Sequence, residues 1–335
     1  MPDSTMVRPL QVEGSSFLIT GGASLIGSHM TQLLLAQGAS RVVLFDNYSL
    51  GQQELAATLA RLDRVEVIRG DILRLPDLVD AMAGMHGVFA LAAYLTLPLS
   101  KNPALGVEVN TMGVVNVLEA ARIAKVGKLV FASSIATYGA NIEGTIDETR
   151  EFGSAGLPPA FATYAATKLL AEHMGRLYVA KHGMNVAAAR FSTVYGENQH
   201  ARGVNALYIL EAMNAVAQGQ APVLLGDGSE AHDYVYAGDA AQGCIDIMCK
   251  APAGEVFNIA SGTSSSVNEV VELVLAEYGS ALKPIRKADD RATKATSHAR
   301  LDLSIDKAAR QLDWRPRIDL REGIHRLRSW MDSTR

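Results

Sequence analysis

The sequence predicts an α/β protein: a Rossmann-type doubly wound parallel sheet with a smaller C-terminal α/β lobe. Three observations lead there. Six apolar runs in the first 190 residues are continuous rather than alternating, helical segments separate them, and a glycine turn, "TGGASLIGSH", follows the first. Continuous apolar runs belong to strands buried on both faces, as in a parallel sheet. Repeated strand, helix, strand units then require right-handed crossovers.

Taken in order, the strand candidates are "FLIT" from Phe17, "RVVLFD" from Arg41, "VEVIRGD" from Val65, "GVFALAA" from Gly87, "KLVFASS" from Lys128 and "NVAAARF" from Asn185. Helices are expected from Ser24 to Gln37, Gly113 to Lys125 and Tyr164 to His182. After about residue 190 the pattern loosens into loops that open further strands and helices, and "LDWRPRIDLREGIHRLRSW" closes the chain with a turn and an amphipathic helix. There is no long linker and no internal repeat. Residues 15–190 with about 229–260 are therefore assigned to the sheet domain. About 191–228 and 261–335 form an interleaved second lobe, which completes a cleft at the carboxyl ends of the strands.

The chain has 335 residues, 48% hydrophobic and 20% charged, enough for a large core. A net charge of −4 with no block of Lys or Arg argues against nucleic acid or an anionic membrane as partner. The first sixteen residues, "MPDSTMVRPLQVEGSS", lack the apolar core of a signal peptide. The longest apolar run, Gly87 to Leu99, is too short to span a bilayer and contains Thr96 and Pro98. A cytoplasmic protein with no membrane partner is expected. The only cysteines, Cys244 and Cys249, are spaced neither as a redox pair nor as a metal pair, and read as core thiols of a reducing compartment.

Gly21, Gly22 and Gly27 lie between a buried strand and a Leu-rich helix, and Asp46 ends the next strand nineteen residues beyond Gly27. In that context a glycine pattern that is weak alone points to a dinucleotide. Backbone N–H groups of the turn, which includes Ser24, Leu25 and Ile26, would cradle a pyrophosphate at the helix N-terminus. Asp46, followed by Asn47, would accept hydrogen bonds from an adenosine ribose, and its charge would repel a 2′-phosphate, favouring NAD over NADP. Ser24 stands where a second glycine is expected. Its Cβ and hydroxyl then either crowd the pyrophosphate or donate to it.

"YAATK" places Tyr164 and Lys168 at i and i+4, on one face of a helix. A phenol with an ordinary pKa near ~10 is a poor base at neutral pH, and an ammonium one turn away favours the phenolate. Upstream, "FASSIATYG" ends a strand with Ser133 and Ser134, one of which would hydrogen-bond an oxygen that becomes a carbonyl. Strand-ending serines and a lone Tyr/Lys pair are common. Together with the glycine turn they form a proton-transfer site.

These motifs, with "FDNYS", "RGDI", "LAA", "VNTMGVVNVLEAAR", "RFSTVYG", "GDGSEAHDYVYAGDAA", "FNIASG" and "LDLSIDKAARQLDWRP", resemble the extended short-chain dehydrogenase/reductases, specifically the NAD-dependent epimerase/dehydratase family typified by UDP-glucose 4-epimerase. The resemblance runs from about Phe17 to Trp330. It implies NAD as cofactor, Ser134 as the catalytic serine, Tyr164 as general base, and Lys168 as the residue that binds the nicotinamide ribose and lowers the tyrosine pKa. It assigns Asp71 and Ile72 to the adenine and Leu91, Ala92 and Ala93 to the segment beside the phosphates. Asn110 joins this cofactor group as the structural asparagine of the following helix. It also implies a homodimer through the helices holding Asn110 and Tyr164.

The shared half-reaction removes a hydroxyl proton and passes the carbinol hydride to NAD. Dehydratases of the family carry an Asp-Glu pair after their catalytic Thr, and decarboxylases a Glu two residues on. Here those positions are Ile135 and Ala136, which leaves a nucleotide-sugar 4-epimerase or, as the alternative, a dehydrogenase of a non-nucleotide secondary alcohol. A non-catalytic NAD-sensing protein is the third reading, disfavoured by the intact Ser134, Tyr164 and Lys168. Three departures bear on the substrate. The family's Asn before "VYG" is Thr193, its nucleotide-binding Arg is His232, and Arg291 lies near its late diphosphate-binding Arg in an altered context. Thr96, Ser133, Thr193, His232 and Arg291 are the candidate substrate contacts, with His232 equally readable as a satisfied loop histidine. "GDG" at Gly226 reads as a turn rather than a phosphate loop, and no histidine spacing suggests a metal.

Overall fold

The computed structural model describes residues 10–139, 144–199, 207–288 and 301–334. Seven parallel strands form the central sheet: β1 (Ser16–Thr20), β2 (Arg41–Asp46), β3 (Val65–Arg69), β4 (Gly87–Ala90), β5 (Lys128–Ser134), β7 (Val186–Phe191) and β11 (Val256–Ile259). Their order is β11-β7-β5-β4-β1-β2-β3, so the winding reverses between β1 and β4, where a cleft opens beyond the strand ends. Among the described residues three smaller sheets accompany the central one. The first joins β8 (Thr193–Tyr195), β10 (Ala231–Tyr236) and β12 (Ser264–Ser266), the second pairs β9 (Val223–Leu225) with β13 (Ile285–Lys287), and the third pairs β6 (Thr145–Ile146) with β14 (Asp302–Leu303).

The continuous apolar runs are explained by two cores, one on each face of the sheet. Phe17 and Ile19 of β1, with Val42 and Leu44 of β2, pack under the Leu25–Ala36 and Ala237–Lys250 helices, through Met30, Leu34, Ile247 and Met248. Leu18, Val43 and Phe45 point the other way, onto Leu78, Met82, Leu118 and Tyr178 of the Leu75–Met82, Val114–Ile123 and Pro159–His182 helices. Side chains alternate along a strand, so a strand covered on both faces must be apolar at every position. A third core, including Met213, Leu224, Tyr234, Val270, Val274 and Leu327, lies in the later half of the chain.

Two sequence readings shift at their edges. β3 stops at Arg69 and β4 at Ala90, so Gly70–Asp71 and Leu91–Ala93 lie beyond the strand ends and line the cleft. The helix expected from Tyr164 begins at Pro159, proline being accepted in a first turn, and ends at His182 as expected, capped by Gly183, whose φ of 65° is left-handed. Among the described residues no helix is long and apolar enough to cross a membrane.

Candidate active site

The cleft is walled by the glycine turn, the ends of β2 to β5 and the Pro159–His182 helix. Gly21 has φ +69°, and a Cβ there would lie 2.9 Å from the Ala92 backbone nitrogen, so the turn and the end of β4 meet only through glycine. At Gly27 a Cβ would come within 2.5 Å of the Gly22 carbonyl oxygen, so the helix can enter this closely only without one. Ser24 needs no such freedom. Its backbone is extended (φ −114°, ψ 172°), and its hydroxyl accepts from the Gly27 N–H at 3.2 Å, an N-cap. The side chain is turned onto the helix start while still bordering the cleft beside Leu25 and Ile26.

Asp46 ends β2 as a buried carboxylate. Its Oδ2 accepts from the Ala23 N–H at 3.0 Å and its Oδ1 from the Tyr48 N–H at 2.8 Å. Burial raises its pKa, with those two donors pulling the other way. Each oxygen keeps a lone pair for a ribose hydroxyl. Asn47 donates to Asp71 Oδ2 at 3.0 Å and so links the ends of β2 and β3 at the far wall, beside Ile72.

On the opposite side Tyr164 and Lys168 are buried and Ser134 is half-buried. Lys168 Nζ donates to the Ala132 carbonyl at 2.8 Å and lies 5.7 Å from the centre of the Tyr164 ring. Burial pushes the Tyr164 phenol up to about 12, opposed by a hydrogen bond with Ser134. Burial also lowers Lys168 to about 8, opposed by the charge of Glu172. The Ser134 hydroxyl accepts from the Ala136 N–H at 3.1 Å, fixing its place at the strand end.

The remaining sequence candidates scatter. Asn110 is not at the cofactor cleft. Its Oδ1 accepts from the Tyr94 N–H at 2.8 Å, and its Nδ2 donates to the Tyr94 carbonyl at 2.9 Å and to Thr167 Oγ1 at 3.2 Å, tying the chain after β4 to the Pro159–His182 helix. This corrects its place among the cofactor contacts and keeps it as a structural asparagine. Ser133 borders the cleft, and its hydroxyl donates to Glu172 Oε1 at 2.6 Å. Thr96 opens a short helix, Thr193 lies opposite Tyr234 in the β8–β10 pair, and neither borders the cleft. His232 lies 2.9 Å from Glu230 and packs against the rings of Tyr208 and Tyr234, the arrangement of a satisfied histidine. Arg291 lies outside the described residues. The glycines of "GDG", Gly226 and Gly228, have φ of 69° and 73°, in a turn between β9 and β10.

Sequence reasoning missed Asn198 and Gln199, which border the cleft. Asn198 adopts φ +67° and donates to Ser28 Oγ at 3.2 Å, while its carbonyl accepts from Gln52 Nε2 at 2.8 Å. The only local signal is their place just beyond "RFSTVYG", after Glu197. Among the described residues no group of three or more His, Cys, Asp or Glu is placed to hold a metal.

A reversing parallel sheet, a glycine turn opening a helix, an acid at the end of β2 and a Ser/Tyr/Lys set across the cleft define a dinucleotide-dependent enzyme of the extended short-chain dehydrogenase/reductase type. Residues 17–260 match the model of the NAD dependent epimerase/dehydratase family, and the chain belongs to that family. Its cofactor is NAD. It is 31% identical to a putative UDP-glucose 4-epimerase of Methanocaldococcus jannaschii, over 94% of this chain and 97% of that one. Among solved structures it superposes with a TM-score of 0.85 on an epimerase of Methanothermobacter thermautotrophicus, 29% identical, covering 96% of this chain and 94% of the other. With a TM-score of 0.82 it matches a Thermus thermophilus UDP-glucose 4-epimerase solved with NAD, 28% identical, over 96% of this chain and all of that one.

Proposed function

We propose that the chain is an NAD-dependent nucleotide-sugar 4-epimerase in which Ser134, Tyr164 and Lys168 are catalytic. The observation that carries this reading is the arrangement at the end of β5. Ser134 and the Tyr164/Lys168 pair converge there, while Ile135 and the buried Ala136 occupy the positions after the serine and offer no acid to protonate a leaving hydroxyl. The relatives named above are epimerases, two of them of UDP-glucose.

NAD supplies the hydride acceptor and donor. The turn from Gly21 to Gly27 would hold its pyrophosphate, Asp46 the adenosine ribose, and Asp71 with Ile72 the adenine end. Leu91–Ala93 would flank the phosphates, and Lys168 would hold the second ribose. Tyr164 as phenolate takes the proton of the sugar hydroxyl as the hydride leaves the same carbon, and Ser134 hydrogen-bonds the oxygen that becomes the ketone. Tyr164 would return its proton to that oxygen after the 4-keto sugar has turned over. Burial of the phenol makes the Lys168 ammonium necessary to this step, since an adjacent positive charge stabilises the phenolate.

The domain division at about 190, 229 and 260 belongs to this reading, with the third core as the substrate lobe. A cytoplasmic enzyme is proposed, in keeping with the free thiols of Cys244 and Cys249. We also propose a homodimer. Met112, Ile123, Leu170 and Leu177 are large apolar side chains left exposed on the helical stretches that hold Asn110 and Tyr164.

Denaturing the purified protein should release about one NAD per chain, and the intact protein should interconvert UDP-glucose and UDP-galactose without added reductant. Tyr164→Phe should lose turnover. NADH accumulating from a simple secondary alcohol, with no change to UDP-hexoses, would overturn the assignment in favour of a dehydrogenase.

A further inference from the structure

Two consecutive residues at the end of β5 are each hydrogen-bonded to the helix that carries the tyrosine and lysine. The Ala132 carbonyl accepts from Lys168 and the Ser133 hydroxyl donates to Glu172 Oε1 at 2.6 Å, while Ser134, the next residue, lines the cleft with Tyr164. Tyr164, Lys168 and Glu172 succeed one another at intervals of four, so they share one face of the helix. Glu172 does more than meet Ser133. Arg190 of β7 donates from Nε to Oε1 at 2.8 Å and from Nη2 to Oε2 at 2.7 Å. Ser133 and Arg190 are register partners in the β5–β7 pair, so the carboxylate is held by both strands on one rung.

Glu172 and Arg190 are 2% and 5% exposed. Desolvating two charges offsets most of their attraction, so such a pair contributes little to stability that an apolar pair would not. Its geometry offers another reason for its presence. A two-point fork from one strand and a hydroxyl from the next fix the height and rotation of the helix, one turn beyond Lys168. We propose that Glu172 is a positioning residue for proton transfer: clamped by Ser133 and Arg190, it brings Lys168 and Tyr164 into line with Ser134 and faces the Lys168 ammonium with a buried negative charge. This rests on the assignment of Ser134, Tyr164 and Lys168 made above.

Among the described residues the groups around Lys168 are Tyr164 and Glu172 on its own helix and the Ala132 carbonyl on β5. Around Glu172 they are Arg176 on its own helix at 3.8 Å, Ser133 on β5 and Arg190 on β7. Beyond Arg190 stand the Glu148 carbonyl, which accepts from it at 3.2 Å, and the Tyr138 ring, 4.8 Å away. Of the charged groups, Glu172 is the one that favours the charged form of Lys168. Its loss therefore lets the ammonium lose its proton at lower pH.

Glu172→Gln alone would leave Arg190 a buried unpaired cation and threaten folding. The test uses the NAD-loaded full chain with Ser133→Ala, Ser133→Thr and the charge-free pair Glu172→Gln/Arg190→Gln. UDP-glucose turnover and crystal structures are the readouts. Ser133→Ala should lower kcat about tenfold with KM unchanged, Ser133→Thr should restore it, and the double variant should lose about a hundredfold, as small misplacements of reacting groups do. In the double variant the alkaline limb of the kcat profile should move to lower pH, and Lys168 should leave the Ala132 carbonyl. Folded variants with wild-type kcat and an unmoved limb would overturn the proposal. Should the wild type leave UDP-glucose unchanged, the epimerase reading fails and the structures decide: a displaced Lys168 supports the positioning role, an undisturbed one overturns it.

Discussion

Lys168 donates from Nζ to the Ala132 carbonyl at 2.8 Å, one helical turn from Tyr164. The bond draws the ammonium into the wall of the cleft, away from bulk water. The same burial that lowers Lys168 to about 8 pushes Tyr164 to about 12, so this site pulls both groups toward their neutral forms. Proton abstraction needs the opposite pair, phenolate and ammonium. The protein therefore holds a destabilising arrangement where the proposed chemistry requires it.

A stability difference follows. The folded pKa of Lys168 lies below its unfolded value, so between about 8 and 10.5 the unfolded chain binds more protons, and stability from this group rises with pH. Below 8 the whole penalty is present. Lys168→Met should thus be more stable than the wild type at pH 7, by on the order of 1–3 kcal/mol, with the advantage gone near pH 10.5. Turnover should be lost. Urea unfolding of both proteins at pH 7 and pH 10 checks this, and equal stabilities at pH 7 would contradict it.

Asp46 and Gly51 form a second linked pair. A Cβ on Gly51 would sit 2.7 and 2.8 Å from the two Asp46 carboxylate oxygens, so glycine there leaves the acid its place. Asp46→Ala should weaken NAD about tenfold to a hundredfold by removing a charged acceptor, and should narrow the preference over NADP. Gly51→Ala, which leaves the acid but displaces it, should weaken NAD in the same direction and by less. Because burial raises the Asp46 pKa, NAD affinity should begin to fall with acidification above the ordinary carboxylate range. Calorimetric titration with each dinucleotide reads all three effects. A Gly51→Ala protein binding NAD as tightly as the wild type would remove Asp46 from the ribose site.

The glycine turn, Asp46 and the Tyr164/Lys168 pair were legible in the sequence because each depends on spacing within one or two elements. The substrate contacts depend on how distant elements meet, which spacing does not encode. Thr193 is committed to β8 and faces Tyr234 of β10, and His232 to Glu230 and two tyrosine rings. Asn198 reaches the cleft through a left-handed backbone and bonds to Ser28 and Gln52, both more than a hundred residues away. Ser133 shows the limit within a single motif. Next to Ser134, it faces the other side of the strand, and only the position of Glu172 reveals what it binds.

Ser24 resolves into a helix cap, and its substitution separates two effects. Ser24→Gly removes the acceptor for the Gly27 N–H, which should cost the helix start a few tenths of a kcal/mol, because glycine is itself a tolerated cap. It also removes a Cβ and hydroxyl from the border of the cleft and frees an N–H for an anion. NAD should bind several-fold tighter while thermal stability of the NAD-free protein falls slightly. Calorimetry and thermal unfolding together test this, and unchanged or weaker binding would mean that the serine does not crowd the pyrophosphate.

The exposed apolar side chains give the last prediction. Leu170 and Leu177 lie seven residues, two turns, apart on the Pro159–His182 helix, so they share a stripe on the side away from the sheet, while Ala171 and Tyr178 pack into the core. A stripe of this kind on a long helix is stable in water when a second copy covers it. Leu170→Glu with Leu177→Glu places two carboxylates per chain in that contact, and across a two-fold axis four, which apolar burial cannot offset. The double variant should sediment as a monomer where the wild type sediments as a dimer. Because the same helix carries Tyr164 and Lys168, turnover should fall with dissociation even though no residue of the cleft is changed. A wild type that sediments as a monomer at micromolar concentration would remove the proposed interface, and a double variant that remains dimeric would place it elsewhere on the surface.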